Sequence, residues 1–177
     1  LQPLETEYRF WMKGADVLNE THNAIHHVVR MKDGEVLNRY WDYKDTARPE
    51  SYREDVKLSH NTTQAPQTLY RHLRAGAESG WDYSCRWFKD EKSFATIHTT
   101  EIIPVDLNCL MFHLEQTIAE VYAIGGMKDK EEQYLLLAEK RKAAIRKYCW
   151  NNTVGFYTDY DFSASKTKQV KTLAGTA

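Results

Sequence analysis

The sequence predicts a mainly α fold assembled from helical hairpins, with one small β-hairpin inserted. Two long runs of helical spacing and a helix-initiating proline carry that prediction. Apolar side chains recur at Leu107, Leu110, Met111, Leu114, Ile118, Val121 and Tyr122, and Gly125-Gly126 closes the run. Lys128-Asp129 opens a second run, in which Tyr134, Leu137, Ala138, Arg141, Ile145 and Tyr148 keep to one face as far as Trp150. The short break between the runs folds them into an antiparallel pair. Pro49 suits the first turn of a helix, and Glu50 favours that helix's positive end.

The remaining elements follow in chain order. Glu5 to Met12 reads as the end of a helix begun before Leu1, since no capping residue precedes it and Trp11-Met12-Lys13-Gly14 closes it. From Thr21 to Asp42 the pattern is extended. Asp33-Gly34 is expected as a two-residue turn joining Ile25–Met31 to Glu35–Trp41. Pro49 to Leu58 is a short helix reached through the Asp45–Arg48 loop, and a second spans Pro66 to Glu78. That helix ends in Glu78-Ser79-Gly80, which delivers the chain to Trp81-Asp82 in a loop just past a helix C-terminus. Loops on rigid scaffolds often carry chemistry. Asn151-Asn152 ends the long helical pair.

Composition narrows the function classes. The 177 residues suffice for one domain with a sizeable core, and 42% hydrophobic with 12% aromatic content is an ordinary globular profile rather than a disordered one. Lys and Arg number 24 against 25 Asp and Glu, so the net charge of −1 leaves no basic footprint for nucleic acid. No stretch reaches the roughly 18 apolar residues of a membrane span. Membrane association is therefore expected only through segments outside this sequence. Cys85, Cys109 and Cys149 lack C-x-x-C spacing and are odd in number, and they read as buried thiols. Seven histidines, among them His22, His26 and His27, show no ligand spacing, so no metal is expected. The mixed charges from Glu131 to Lys147 read as a solvated helix face.

The densest chemistry lies at Ser79-Gly80-Trp81-Asp82-Tyr83-Ser84-Cys85-Arg86-Trp87-Phe88, one carboxylate among four aromatic rings. A carboxyl held among rings is partly desolvated, which favours its protonated form, and rings stack on the apolar faces of pyranoses. Donating a proton to a glycosidic oxygen is the natural use of such a group. Read alone, Asp82 is as readily a loop-capping aspartate. Likewise Arg48-Pro49-Glu50 reads as a helix start with a solvated arginine, or as a guanidinium and carboxylate that hold sugar hydroxyls. Gly80 is a left-handed cap or a place of close sugar approach. Trp41, Asp42, Trp81 and Trp87 stay unassigned between packing and sugar platform.

That segment, together with Leu37-Asn38-Arg39-Tyr40-Trp41-Asp42 and the run from Asp45 to Asp55, closely resembles the trehalases, the inverting hydrolases of α,α-trehalose. The likeness runs collinearly from about Glu5 to the end. It implies an (α/α)6 toroid of which residues 1–177 are part of the catalytic domain, incomplete at both ends. It implies trehalose as the substrate, with Asp82 as general acid and Arg48, Pro49, Glu50 and Gly80 as substrate-binding residues, and no metal or organic cofactor. The family's general base lies downstream in an aromatic-rich glutamate segment with no counterpart before Ala177, so the chain alone is expected to be inactive. Two other readings remain: hydrolysis of another α-glucoside on the same toroid, or a truncated product that binds sugar or protein without catalysis. Acceptor sequons at Asn19, Asn61 and Asn151 suit a secreted or cell-surface protein, with a cytoplasmic one still open.

Overall fold

The computed structural model describes residues 1–176. Helix α1 (Gln2–Trp11) leads into a three-stranded antiparallel sheet of β1 (Ala24–Ile25), β2 (Val28–Arg30) and β3 (Val36–Asn38). Helices α2 (Tyr52–Ser59) and α3 (Pro66–Glu78) follow, then strand β4 (Ile102–Ile103) and the long helices α4 (Val105–Ile124) and α5 (Lys128–Cys149). Four short strands follow, β5 (Trp150–Asn151), β6 (Phe156–Tyr157), β7 (Tyr160–Asp161) and β8 (Lys166–Thr167), and then a 3-10 turn at Leu173–Thr176. The fold is mainly α, as expected.

Local chemistry accounts for the helical part. α4 stops where the Gly126 N–H bonds to Ala123 O at 3.0 Å and the Met127 N–H to Tyr122 O at 3.0 Å, a paired cap that satisfies the last carbonyls and turns the chain into α5. α5 has Asp129 and Glu131 in its first turn and Arg146 and Lys147 in its last, matching the helix dipole at both ends. Pro49 begins a single 3-10 turn that runs into α2, and Pro66 begins α3.

The β structure departs from expectation. Five residues, Met31 to Glu35, separate β2 from β3, and the turn at their centre takes three residues, Lys32 to Gly34, rather than two: the Gly34 N–H bonds to Met31 O at 2.9 Å and the Met31 N–H to Glu35 O at 2.7 Å. The strands are short, and His26, with φ of 47°, reverses the chain so that β1 pairs back on β2. A second sheet, β4-β7-β8, comes from apolar pairs too short to show a period.

Two apolar clusters form the core, and Ile102 and Ile103 belong to different ones because adjacent strand residues face opposite ways. One gathers Val29, Leu37, Ile103, Ile145 and Tyr148 against α5. The other gathers Leu69, Leu73, Trp87, Ile97, Ile102 and Met111 between α3 and α4. Leu110, expected in the stripe of α4, is 61% exposed, because the helix is packed on a narrower arc than its apolar pattern covers. Of the cysteines only Cys149 is buried; Cys85 and Cys109 are half-buried.

Candidate functional site

The loop after α3 is built around a backbone reversal. Gly80 has φ of +70°, and a Cβ placed there would meet nothing within 4 Å, so the requirement is backbone conformation and not space. Beyond it the aromatic residues separate. Cys85–Trp87 form a 3-10 turn that carries Trp87 into the core at 0% exposure, with Phe88 behind it. Trp81 stays 43% exposed, and Asp82 is exposed with no hydrogen bond to its carboxylate among the described residues. The expected ring of aromatics around Asp82 is therefore absent from this part of the chain: Trp87 and Phe88 serve packing.

Both neighbours of Asp82 are tied down. The Tyr83 hydroxyl donates to Leu73 O at 2.5 Å and accepts from Arg48 Nη1 at 2.6 Å. Its ring lies against Gly76 in α3, where an added Cβ would come within 2.6 Å of Tyr83 Cε1. Burial pushes the Tyr83 phenol up to about 12, so it stays protonated. On the other side, the Trp81 indole N–H donates to Asp106 Oδ2 at 2.6 Å.

Arg48 is nearly buried and turned inward. Its Nε donates to Asp55 Oδ2 at 3.0 Å and its Nη2 to Asp55 Oδ1 at 2.7 Å, a two-pronged pair of the strong, charge-assisted kind. The bond to Asp55 raises the Arg48 pKa above its ordinary value. Pro49 and Glu50 are exposed on the adjoining turn. The Glu50 carboxylate raises the pKa of both Arg48 and Tyr83, weakly beside the nearer causes. Arg48 and Tyr83 are thus joined directly, with Asp82 the residue before Tyr83 and Glu50 two residues after Arg48. Asp55 and Tyr83 were not singled out from the sequence; Asp55 sits seven residues from Arg48, a spacing with no helical meaning across a loop.

The segment from Arg39 to Asp45 packs along α3. Trp41 lies between two guanidinium groups, Arg39 at 4.4 Å and Arg71 at 4.8 Å from its ring. Its backbone N–H donates to Glu78 Oε2 at 2.8 Å, and His27 Nε2 lies 2.8 Å from Glu78 Oε1. Asp42 pairs with Arg74 at 3.0 Å and Asp45 with Arg71 at 3.3 Å. A groove of about 390 Å³, bordered by Asp45, Tyr52, Gln67 and Tyr70, opens beside this segment.

Beneath the loop lies a buried charge cluster that sequence reasoning missed. Arg86 donates from Nη2 to Asp106 Oδ1 at 2.7 Å, from Nε to Asp159 Oδ2 at 2.8 Å and from Nη2 to Asp159 Oδ1 at 2.8 Å. Burial alone would lower the Arg86 pKa, but Asp159 and Asp106 outweigh it and raise the value. Asp159 also accepts the Val105 N–H at 3.0 Å, capping the start of α4 from outside the helix.

The sequons divide. Asn19 and Asn61 are exposed. Asn151 is 2% exposed, its amide donates to Lys168 O at 2.8 Å and its carbonyl accepts the Thr153 N–H at 2.9 Å. A glycan on Asn151 would displace that bond and unseat the segment, so the Asn151 expectation is corrected: the residue is a buried turn former. The family model described as Trehalase matches residues 1–176.

Proposed function

The chain belongs to the trehalase family, and from that premise we propose that it forms part of an inverting α,α-trehalase in which Asp82 is the general acid. Asp82 gives its proton to the glycosidic oxygen as the bond to the leaving glucose breaks. Water, deprotonated by a second carboxylate downstream of these residues, adds to the opposite face of the other sugar. Two glucose molecules result, and neither metal nor organic cofactor takes part. Family membership over residues 1–176 is the observation that carries this reading, and the resemblance of the segment from Ser79 to Phe88 supports Asp82 as the acid.

The geometry is compatible with those roles. Arg48 uses three of its five N–H groups on Asp55 and Tyr83, leaving two that can meet sugar hydroxyls. Glu50, exposed beside it, can accept from a hydroxyl. The exposure of Asp82 means that its desolvation comes from the bound sugar and the remainder of the site. In this reading α3, α4 and α5 are helices of an (α/α)6 toroid to which residues 1–177 contribute a part. Exposed Asn19 and Asn61 support secretion or cell-surface display.

The test is Asp82→Asn in the complete enzyme. Loss of a positioned general acid lowers kcat by about 10²–10⁴-fold, while Tm stays close to that of the parent because Asp82 supports no packing. Undiminished trehalose turnover would remove Asp82 from the mechanism. Comparing trehalose with maltose in the same assay separates a trehalase from another α-glucosidase.

A further inference from the structure

Taking the acid role of Asp82 from the proposed function, its aim depends on the backbone either side of it, since no described residue holds its carboxylate. The Tyr83 side is fixed to α3 through Leu73 O and Arg48. The Trp81 side reaches the scaffold through the indole N–H bonded to Asp106. We propose that Asp106 is a positioning residue for Asp82, acting through Trp81.

The hydrogen bonding of the buried cluster supports that role. Arg86 makes a two-pronged pair with Asp159 and also donates to Asp106, so two buried carboxylates share one guanidinium at the start of α4. The Trp81 indole N–H gives Asp106 one more donor, which stabilises the buried carboxylate by hydrogen bonding. Asp106 Oδ2 is 2.6 Å from Trp81 Nε1 and 3.3 Å from Arg86 Nη1, so that oxygen is committed chiefly to the tryptophan. A hydrogen bond to an ionised acceptor is short and about twice as strong as a neutral one. Trp81 is 43% exposed, so its ring contributes little core, and its polar end is the part that is gripped. Asp106 itself is fixed in the first turn of α4, whose start Asp159 caps. The result is a rigid line from helix α4 through Trp81 to the residue next to the acid. Catalytic groups need placement to about 0.5 Å, and a 1 Å error costs up to about 10²-fold in rate.

The experiment compares Trp81→Phe, Asp106→Asn, the double variant and Asp82→Asn in the complete enzyme. Phe keeps the ring and removes the donor; Asn keeps the shape and removes the charge. Each single variant is expected to lower kcat roughly tenfold to a hundredfold with little change in KM. The double variant should be no slower than the slower single, because Phe removes the link that Asn weakens from a charge-assisted bond to a neutral one. Asp106→Asn also lowers Tm through Arg86, whereas Trp81→Phe should lower it less, because Asp106 then keeps its bonds to Arg86. Losses that multiply in the double variant, or a Trp81→Phe enzyme with the parent kcat, would overturn the positioning role while a silent Asp82→Asn enzyme leaves the acid assignment standing. Turnover retained by Asp82→Asn would overturn both.

Discussion

Two buried arginines occupy similar surroundings and do different things. Arg86, under the Asp82 loop, faces Asp106 and Asp159; Arg141, between the long helices, faces Glu115 through Nε at 3.0 Å and Nη2 at 2.9 Å. Each is almost fully enclosed, at 3% and 4% exposure. The Arg141 cluster ties scaffold to scaffold: Nη1 donates to Asn38 Oδ1 at 2.9 Å and to Asn108 Oδ1 at 3.1 Å, and the Asn108 side chain accepts the Asn38 N–H and donates to the Asn38 carbonyl. Those bonds join α4, α5 and β3, all scaffold. The Arg86 cluster has an outlet, the exposed Trp81 beside Asp82. A buried ion pair can thus fix packing or hold a site in place, and what decides is whether one of its acceptors reaches a surface loop.

The largest effects separate the two clusters. Removing one partner of a buried pair costs about 3–5 kcal/mol, because the other charge is left in a low-dielectric interior. Arg86→Met abandons two carboxylates and Arg141→Met one, so urea unfolding should show the greater loss for Arg86. Turnover in the complete enzyme sharpens the contrast. Under conditions where both variants remain folded, Arg141→Met should keep kcat and Arg86→Met should lose it. Equal losses of kcat would show that the helical hairpin is coupled to the site after all.

Acid should loosen the Arg86 side first. His72 is held down to about 3 by burial, and its Nδ1 accepts from the Thr100 hydroxyl at 3.0 Å, which suits the neutral ring. Burial likewise lowers His98 to about 4, partly opposed by Asp161, with Lys168, Lys89 and Lys166 adding to the lowering. The unfolded chain takes up protons at about 6.5 and the folded chain resists until about 3–4. Stability is therefore full above pH 6.5 and falls as pH drops towards 4, by at most about 1.4 kcal/mol per pH unit for each histidine. His98 lies 3.6 Å from Asp161 on β7, the strand that follows Asp159. Amide exchange at Val105 and Phe162 should accelerate between pH 7 and 5 before exchange at Ile118 and Ala119. Simultaneous acceleration would mean that the two clusters open as one unit.

How far the sequence revealed this architecture follows from the range of each signal. Helices α3, α4 and α5 were legible because their patterns lie within one run of chain, and Gly80 because a left-handed cap is a local need. Arg86 could not be matched to Asp106 and Asp159, which lie 20 and 73 residues away, since charge alone names no partner at that distance. Asp106 at the start of α4 has a sufficient local explanation in the helix dipole, and that explanation hid the indole bond. Aromatic density between Trp81 and Phe88 was visible, but only the 3-10 turn at Cys85–Trp87 decides which rings face inward.

The smallest effect tests whether Gly80 serves the loop or the sugar. Forcing a Cβ into its left-handed backbone costs about 1–2 kcal/mol, and with nothing within 4 Å of that Cβ the cost is conformational alone. Gly80→Ala should lower Tm modestly. Gly80→Asn should lower it less, because asparagine adopts this backbone more readily. If trehalose approaches the Gly80 backbone closely, both variants raise KM in the complete enzyme, and the better stability of asparagine brings no recovery. If KM stays at the parent value in both, the glycine serves only to turn the chain towards Trp81. Substrate contact would then begin at Asp82, and the Trp81–Asp106 link would be the nearest structural control on it.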